Sequence, residues 1–260
     1  MCTIGAKILD PGREFLLFKN RDFTRVYFDD RVRLSNTVFG VLGLETWDGI
    51  DPASDRYSGF SIGFNAHLTC CDSNVRMMPD SASYDRLVEL VVENCTTVEE
   101  AVLCVRDQVR ESRFSWSNLL VATPEGVAAL EIRDRHVEVE RSPVLVARAN
   151  HHVCLGPNSD DDDRTTTQQR YRTARQGLEA AEALEDVFPL LRSHMPDLQH
   201  GLCNHSHYNT VYSYVIHWKD GAITFYVHQG HPCDRAVYAR LPITPGEDVS
   251  LSTYPSAHIA

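Results

Sequence analysis

The chain has 260 residues, and its 25 basic against 36 acidic side chains give a formal net charge of −11. That balance argues against nucleic acid or an anionic membrane surface as a partner, because each phosphate contact needs Lys or Arg. With 43% apolar and 23% charged residues the composition is that of a globular protein, and the length suits a single domain over 1–260.

The first third reads as strands. Cys2–Leu9 and Glu14–Lys19 are short apolar runs around Asp10-Pro11-Gly12, a strong turn signal, and predict a hairpin that begins at the second residue. Termini fray unless tied down, so a strand at this position asks for a reason. Further strands are expected at Val38–Leu44, Gly59–Asn65 and Leu68–Cys71. Two helices follow. Ser83 caps Tyr84–Asn94, whose Leu87, Leu90 and Val91 share a face, and Thr97 with Glu100 makes a capping box for Val98–Val109.

Strand patterns resume at Leu119–Thr123, Val127–Ile132, His136–Glu140 and Val144–Ala149. Asn158–Arg164, with its run Asp160 to Asp163, reads as a solvated loop, since the spacing, glycine and glutamate of an EF-hand are missing. Gln168–Glu182 and Ala183–Arg192 read as helices. Thr210–Trp218 and Ala222–His228, joined by Lys219-Asp220-Gly221, and then Ala236–Leu241 close the chain as strands. Strands, helices, strands, helices, strands in that order suit layered α+β packing rather than a doubly wound sheet.

No apolar run approaches the roughly 20 residues that span a bilayer. Met1-Cys2-Thr3-Ile4-Gly5-Ala6-Lys7 lacks the basic start of a signal peptide, so a cytoplasmic protein is expected. The eight cysteines, at 2, 70, 71, 95, 104, 154, 203 and 233, are then expected as thiols rather than disulfides. Cys95 and Cys104 fall in apolar helical patterns and read as small core residues.

Cys2 is the residue to explain. It is small enough to permit removal of Met1, which leaves a thiol and an α-amine on adjacent carbons. An α-amine has an ordinary pKa of about 7.7–8.0 and accepts a thiol proton near neutral pH, so no separate histidine is required. Chance placement of a cysteine at position 2 is the plain alternative. The second strand adds weight: Phe18-Lys19-Asn20-Arg21-Asp22-Phe23 ends beside the start of the first. There Asp22 can meet the amine or thiol, and Lys19 or Arg21 can stabilise the thiolate. A solvated turn of mixed charges is the competing reading.

Met1-Cys2-Thr3 followed by Lys19-Asn20-Arg21-Asp22 resembles the cysteine N-terminal nucleophile (Ntn) hydrolases: choloylglycine hydrolases, penicillin V acylases and the acyl-CoA:6-aminopenicillanate acyltransferase group. The Asn-Arg-Asp triplet also resembles the NRDE-type proteins. Gly63-Phe64-Asn65 is similar to the Gly-x-Asn strand of these enzymes, and Cys71-Asp72-Ser73-Asn74 falls where their next strand ends in an active-site Asn. Ala147-Arg148-Ala149-Asn150-His151, Leu202-Cys203-Asn204-His205, Thr210-Val211-Tyr212-Ser213 and Gly230-His231-Pro232-Cys233 resemble later segments of the acyltransferase group, in the same order.

The resemblance implies a four-layer αββα sandwich of two antiparallel sheets, the Ntn hydrolase fold. It also implies attack by Cys2 on a linear amide or thioester carbonyl, with Asn150 and Asn74 as oxyanion donors. Asn150 reads equally well as a turn residue after a strand. Lys19 departs from the arginine usual in bile-salt and penicillin acylases, and Asn209 stands near the place of their late arginine.

On this reading the substrate is a small amide or acyl compound, with a CoA or carrier-protein thioester as a compatible donor. No cofactor, nucleic acid or membrane is involved, and a homo-oligomer is compatible. Amide hydrolysis, acyl transfer to an amine and a non-catalytic NRDE-like binding role are the competing outcomes. Phe23, Phe64, Asn65 and Asn209 are candidates for substrate contact, and Phe23, Tyr27, Phe28, Phe60 and Phe64 either line an acyl pocket or pack the core. His151-His152 and His205-x-His207 are the histidine pairs closest to a chelate, but no third ligand stands at a helpful spacing, so no metal is expected. Cys154 and Cys203 read as inert thiols rather than half of a Cys/His dyad.

Overall fold

The computed structural model describes residues 1–24, 32–34, 38–45, 56–156, 164–234 and 238–243. In chain order the strands are β1 (Cys2–Asp10), β2 (Glu14–Phe23), β3 (Val32–Leu34), β4 (Val38–Glu45), β5 (Arg56–Asn65) and β6 (Thr69–Arg76). Helices α1 (Asp85–Asn94) and α2 (Val98–Glu111) come next, then β7 (Trp116–Thr123), β8 (Gly126–Arg133), β9 (His136–Ser142) and β10 (Leu145–Arg148). Helices α3 (Arg164–Ala180) and α4 (Leu184–Leu191) precede β11 (Asn209–Lys219), β12 (Ala222–Gln229) and β13 (Ala239–Ile243).

The strands form two antiparallel sheets. One has six strands in the order β10-β1-β2-β11-β12-β13; the other has seven, β3 to β9 in sequence order. Period-two alternation assigns the two faces of each strand to different layers. From β1 and β2, Ile4, Ala6, Phe15 and Leu17 join Phe39, Ile62, Leu120 and Ala129 in the core between the sheets. Their neighbours Leu16 and Phe18 face the other way, onto Ala174, Leu178, Val187 and Leu191 of α3 and α4. On the far side, Leu87, Val91, Val102 and Val105 of α1 and α2 cover Phe60, Val121 and Leu130. Each buried Leu or Phe of this kind contributes about 1.5–3 kcal/mol over an exposed one. The layers therefore run αββα, as the resemblance implies.

Two glycines permit the close helix–sheet approach. A Cβ at Gly5 would stand 2.6 Å from the Phe18 ring and 2.8 Å from Leu178, so β1 could not lie this near α3. Gly59 has φ of +136°, and a side chain there would run into the Asp85 backbone at the start of α1. Lys7 ties β1 to the end of α3, donating to the carbonyls of Leu178 at 2.6 Å and of Ala181, where a helix leaves its last carbonyls unpaired.

The predicted elements recur with shifted ends. The Thr97/Glu100 capping box opens α2, whereas Ser83 accepts from Asp85 N just ahead of α1, whose N-cap is Tyr84. The main difference is β2, which continues past Lys19 through Asn20, Arg21 and Asp22 to Phe23. Asn20 and Asp22 hold a strand because their side chains find partners beyond it: the Leu191 and Leu202 carbonyls for Asn20, and Thr210 and Arg170 for Asp22. The Asp160 to Asp163 loop and the aromatics Tyr27 and Phe28 lie outside the described residues. Among the described residues, no helix is long and apolar enough to cross a membrane.

Candidate active site

Cys2 begins β1, a strand with a partner on each side: Ile4 pairs with Arg148 of β10, and Cys2 stands opposite Arg21 of β2. This register supplies the reason for a strand at the extreme end. Cys2 shares the inter-sheet face with Ile4 and Ala6 and is 8% exposed. Lys19 lies on that face too. Its Nζ donates at 2.8 Å to both the Ser61 carbonyl and Asp72 Oδ1, and the pair is almost wholly buried.

Burial alone would discharge Lys19, but Asp72, then Cys2 and Asp85, outweigh it and raise its pKa, so it remains an ammonium. Asp72 is pulled both ways: burial lifts its pKa, Lys19 lowers it, and Asp85 lifts it again. The ion pair with Lys19 governs the contact, because its hydrogen bond is short and direct. Burial, then Asp85, Asp72 and Cys2, push the Tyr84 phenol well above its usual range, which leaves a neutral hydroxyl in the electrostatic neighbourhood of Cys2.

The opposite face of the same strands carries a second network. Asp22 Oδ1 accepts from Thr210 Oγ1 at 2.7 Å, and Asp22 Oδ2 lies 3.5 Å from Arg170 Nη1. Arg170 is fully buried and spans three elements: Nη1 donates to Cys2 O and Thr3 Oγ1, each at 3.0 Å, and Nη2 to Asn150 Oδ1 at 2.9 Å. Burial raises the Asp22 pKa, against the pull of Arg170 and the chain's amino terminus. The ladder runs one residue beyond Cys2, with Met1 N donating to Asp22 O at 2.7 Å and Asp22 N to Met1 O at 2.6 Å. Burial holds the Met1 α-amine below its ordinary pKa.

Asn150 joins the two networks. Its Oδ1 accepts from Cys2 N at 3.0 Å as well as from Arg170, and its Nδ2 donates to Asn74 O at 2.5 Å. The segment is fixed from below by Asn118, whose Nδ2 donates to Ala149 O at 2.9 Å and Ser73 Oγ at 3.1 Å. Arg148, fully buried, bonds Glu131 at 2.8 Å and Glu140 at 2.6 Å, while Glu131 also receives the N–H groups of Val153, Cys154 and Leu155. A cavity of about 240 Å³ opens against Met1, Asn74, Arg76, Asn150, Thr167 and Tyr208. The Asn74 side-chain oxygen is buried without a hydrogen-bond partner, so the fold does not consume that group. A larger cavity, about 690 Å³, lies at the far end of the sandwich near Pro124 and Trp218, away from Cys2.

Several sequence expectations are redirected. The Asp22 carboxylate reaches Thr210 and Arg170, not the Cys2 thiol, because Asp22 and Cys2 point to opposite faces of the sheet. Lys19 is committed to Asp72, and the Arg21 guanidinium sits 4.9 Å over the Phe23 ring. Phe64 stacks on Phe39 at 4.6 Å in the inter-sheet core, and Phe60 packs under α1, so neither lines the small cavity. Phe23 is half-buried against that core, and Asn209 opens β11 opposite it. His205 does not pair with His207, which is exposed; its Nε2 lies 3.2 Å from His194 Nε2.

Asn65 is a turn residue. Its Nδ2 donates to the carbonyls of Val92 and Cys95, both at 2.8 Å, and its Oδ1 accepts from the N–H groups of His67 and Leu68. Asn65→Ala is therefore expected to cost about 2 kcal/mol by leaving buried carbonyls unpaired, measured by chemical denaturation. Arg170, Thr167 and Tyr208 escape sequence reasoning, which places Asn204 and Thr210 within family-like segments without giving either a role. Arg170 did leave a signal: with Thr167, Ala174 and Leu178 it forms one buried stripe of α3 at helical spacing.

His151 bonds Thr167 Oγ1 at 2.9 Å, and burial, then Arg148, lowers its pKa to about 4. An unfolded histidine takes its proton near pH 6.5, so stability is full above that pH and falls as the pH drops toward 4. The expected loss is up to about 3 kcal/mol and should shrink in His151→Gln, read from denaturation midpoints across that range.

A cysteine at the head of a central strand, in two antiparallel sheets clad by helices on both faces, places the molecule in the αββα class of the Ntn hydrolases. The chain belongs to the acyl-coenzyme A:6-aminopenicillanic acid acyl-transferase family, whose model matches residues 11–232. Its structure is similar to that of penicillin V acylase from Agrobacterium tumefaciens, with 12% identity, 88% of this chain and 83% of that chain covered, and a TM-score of 0.49. No curated protein matches the sequence.

Proposed function

We propose that the chain is a cysteine Ntn amidase that cleaves a linear amide through an acyl-thioester on Cys2, after removal of Met1. One contact carries this reading: Cys2 N, the atom that becomes the α-amine, is held at 3.0 Å by Asn150 Oδ1. The matched family stretch begins at residue 11, so the role of Cys2 rests on this geometry. Met1 lines the small cavity, and its removal extends that space to the Cys2 nitrogen.

The steps follow from the groups present. The neutral amine takes the thiol proton, and the thiolate attacks the carbonyl carbon. Negative charge builds on the substrate oxygen, where the Asn150 Nδ2 hydrogen not given to Asn74 O is the donor at hand, with the Asn74 Nδ2 as the second donor; the unpartnered Asn74 Oδ1 can only accept. The C–N bond breaks as the ammonium returns its proton to the leaving amine. Water then hydrolyses the thioester and restores the thiol. Arg170, bonded to Cys2 O, places positive charge near the amine and so favours its neutral, basic form.

The family's description supports a second outcome for the same acyl-enzyme: transfer to a bound amine, with a CoA or carrier-protein thioester as donor. Product analysis with and without added amines separates the two. Intact mass after treatment with a thiol-directed acylating probe tests their shared premise. Loss of Met1 and one acyl group on Cys2 are expected, while an active chain that keeps Met1 overturns it.

A further inference from the structure

Four side chains that the acylation chemistry does not use converge beside β11. His194 follows α4, Cys203 and His205 lie in the loop before β11, and Cys233 follows β12. One ligand atom from each lies within 4.8 Å of every other. His205 Nε2 is 3.2 Å from His194 Nε2, 3.2 Å from Cys233 Sγ and 3.5 Å from Cys203 Sγ. We propose that these residues form a Cys2His2 site for a structural zinc ion.

The spacing is the argument. A tetrahedral zinc with Zn–N of about 2.0–2.1 Å and Zn–S of about 2.3 Å sets its ligand atoms about 3.3 Å apart for N–N and about 3.5 Å for N–S. The three distances around His205 fall close to those edges. Hydrogen bonding explains the convergence poorly, because one imidazole nitrogen has one proton or one lone pair and here faces three heavy atoms. Cys203 is buried and the other three are half-buried, so the set is closed rather than open to substrate. The His231 ring stacks on His205 at 3.9 Å and holds the imidazole plane.

The site would clamp the segment that orients Asp22. Between two of the ligands, Asn204 N donates to Thr210 Oγ1 at 2.8 Å, and Thr210 Oγ1 donates to Asp22. Leu202 O, next to Cys203, accepts from Asn20 at 2.9 Å. Binding releases the thiol protons to solvent and leaves four protein ligands on the ion.

The test is metal content of the full chain purified under reducing conditions, followed by stripping and refilling with cobalt. About one zinc per chain is expected, with the intense visible bands and thiolate charge transfer of tetrahedral cobalt. His194→Ala and Cys233→Ser should each weaken zinc binding more than about a hundredfold. Cys154→Ser, an exposed cysteine outside the cluster, should leave it unchanged. The cobalt spectrum is read on the unaltered chain, so it stands even if a variant fails to fold. Absence of bound zinc together with no cobalt–thiolate band overturns the proposal, as does recovery of Cys203 and Cys233 as a disulfide.

Discussion

Replacing Cys2 by alanine is expected to lower turnover of a linear amide by at least about 10⁴-fold, the scale seen when a covalent nucleophile is removed. Little else should change. The side chain is small, and the strand is held by backbone pairing to Arg21 and by the Cys2 N bond to Asn150, which alanine keeps. Melting temperature therefore serves as the control. Cys2→Ser sharpens the result, since serine also permits Met1 removal and keeps the amine but offers a weaker nucleophile. Full turnover in Cys2→Ala would move the nucleophile to another residue, whereas no turnover in either chain, with the protein's function kept in Cys2→Ala, would favour an NRDE-like binding role.

Arg170→Met is expected to cost about 3–5 kcal/mol, the range for breaking a buried charge pair from one side. It leaves Asp22 buried without its counter-charge and takes donors from Cys2 O, Thr3 Oγ1 and Asn150 Oδ1. Combined with Asp22→Asn, the loss should be smaller than the sum of the two single losses, because the variants remove one shared interaction. The kinetic sign is also fixed. A positive charge beside the amine holds its pKa down, so removing it raises that pKa, and the acid limb of kcat/KM moves to higher pH. Arg170→Lys keeps the charge but not the fork, and should restore the limb more than the stability. An acid limb that stays in place in Arg170→Met would rule out the guanidinium as the group that tunes the amine.

The sequence disclosed the β1–β2 hairpin because everything needed was local: two apolar runs and an Asp-Pro-Gly turn. It also disclosed that Arg21 and its neighbours would lie beside Cys2. It did not disclose which face each polar residue takes. The partners that decide this, Asp72 for Lys19, the Leu191 and Leu202 carbonyls for Asn20 and Thr210 for Asp22, lie 53, 171, 182 and 188 residues away. Gly-Phe-Asn suits an active-site strand and makes Asn65 a candidate substrate contact, yet its Oδ1 is spent on the turn to Leu68 and its Nδ2 on the carbonyls at the end of α1. Arg170 hid in a helix rich in charge, and only the phase of α3 separates it from solvated neighbours. His194, Cys203, His205 and Cys233 share no short motif, and space alone unites them.

The two sheets differ in a way that bears on how the molecule is made. The seven-stranded sheet is a meander, β3 to β9 in order, so each strand can pair with the one just synthesised. The six-stranded sheet joins the first strands of the chain to the last: Ile4 waits for Arg148, and Asp22 for Thr210. The hairpin that bears Cys2 is thus synthesised ahead of β10, α3 and β11 and completes its pairing only after they have followed. A chain interrupted before β11 has the hairpin but lacks Thr210, whose hydroxyl holds the Asp22 carboxylate on the helix side of the sheet.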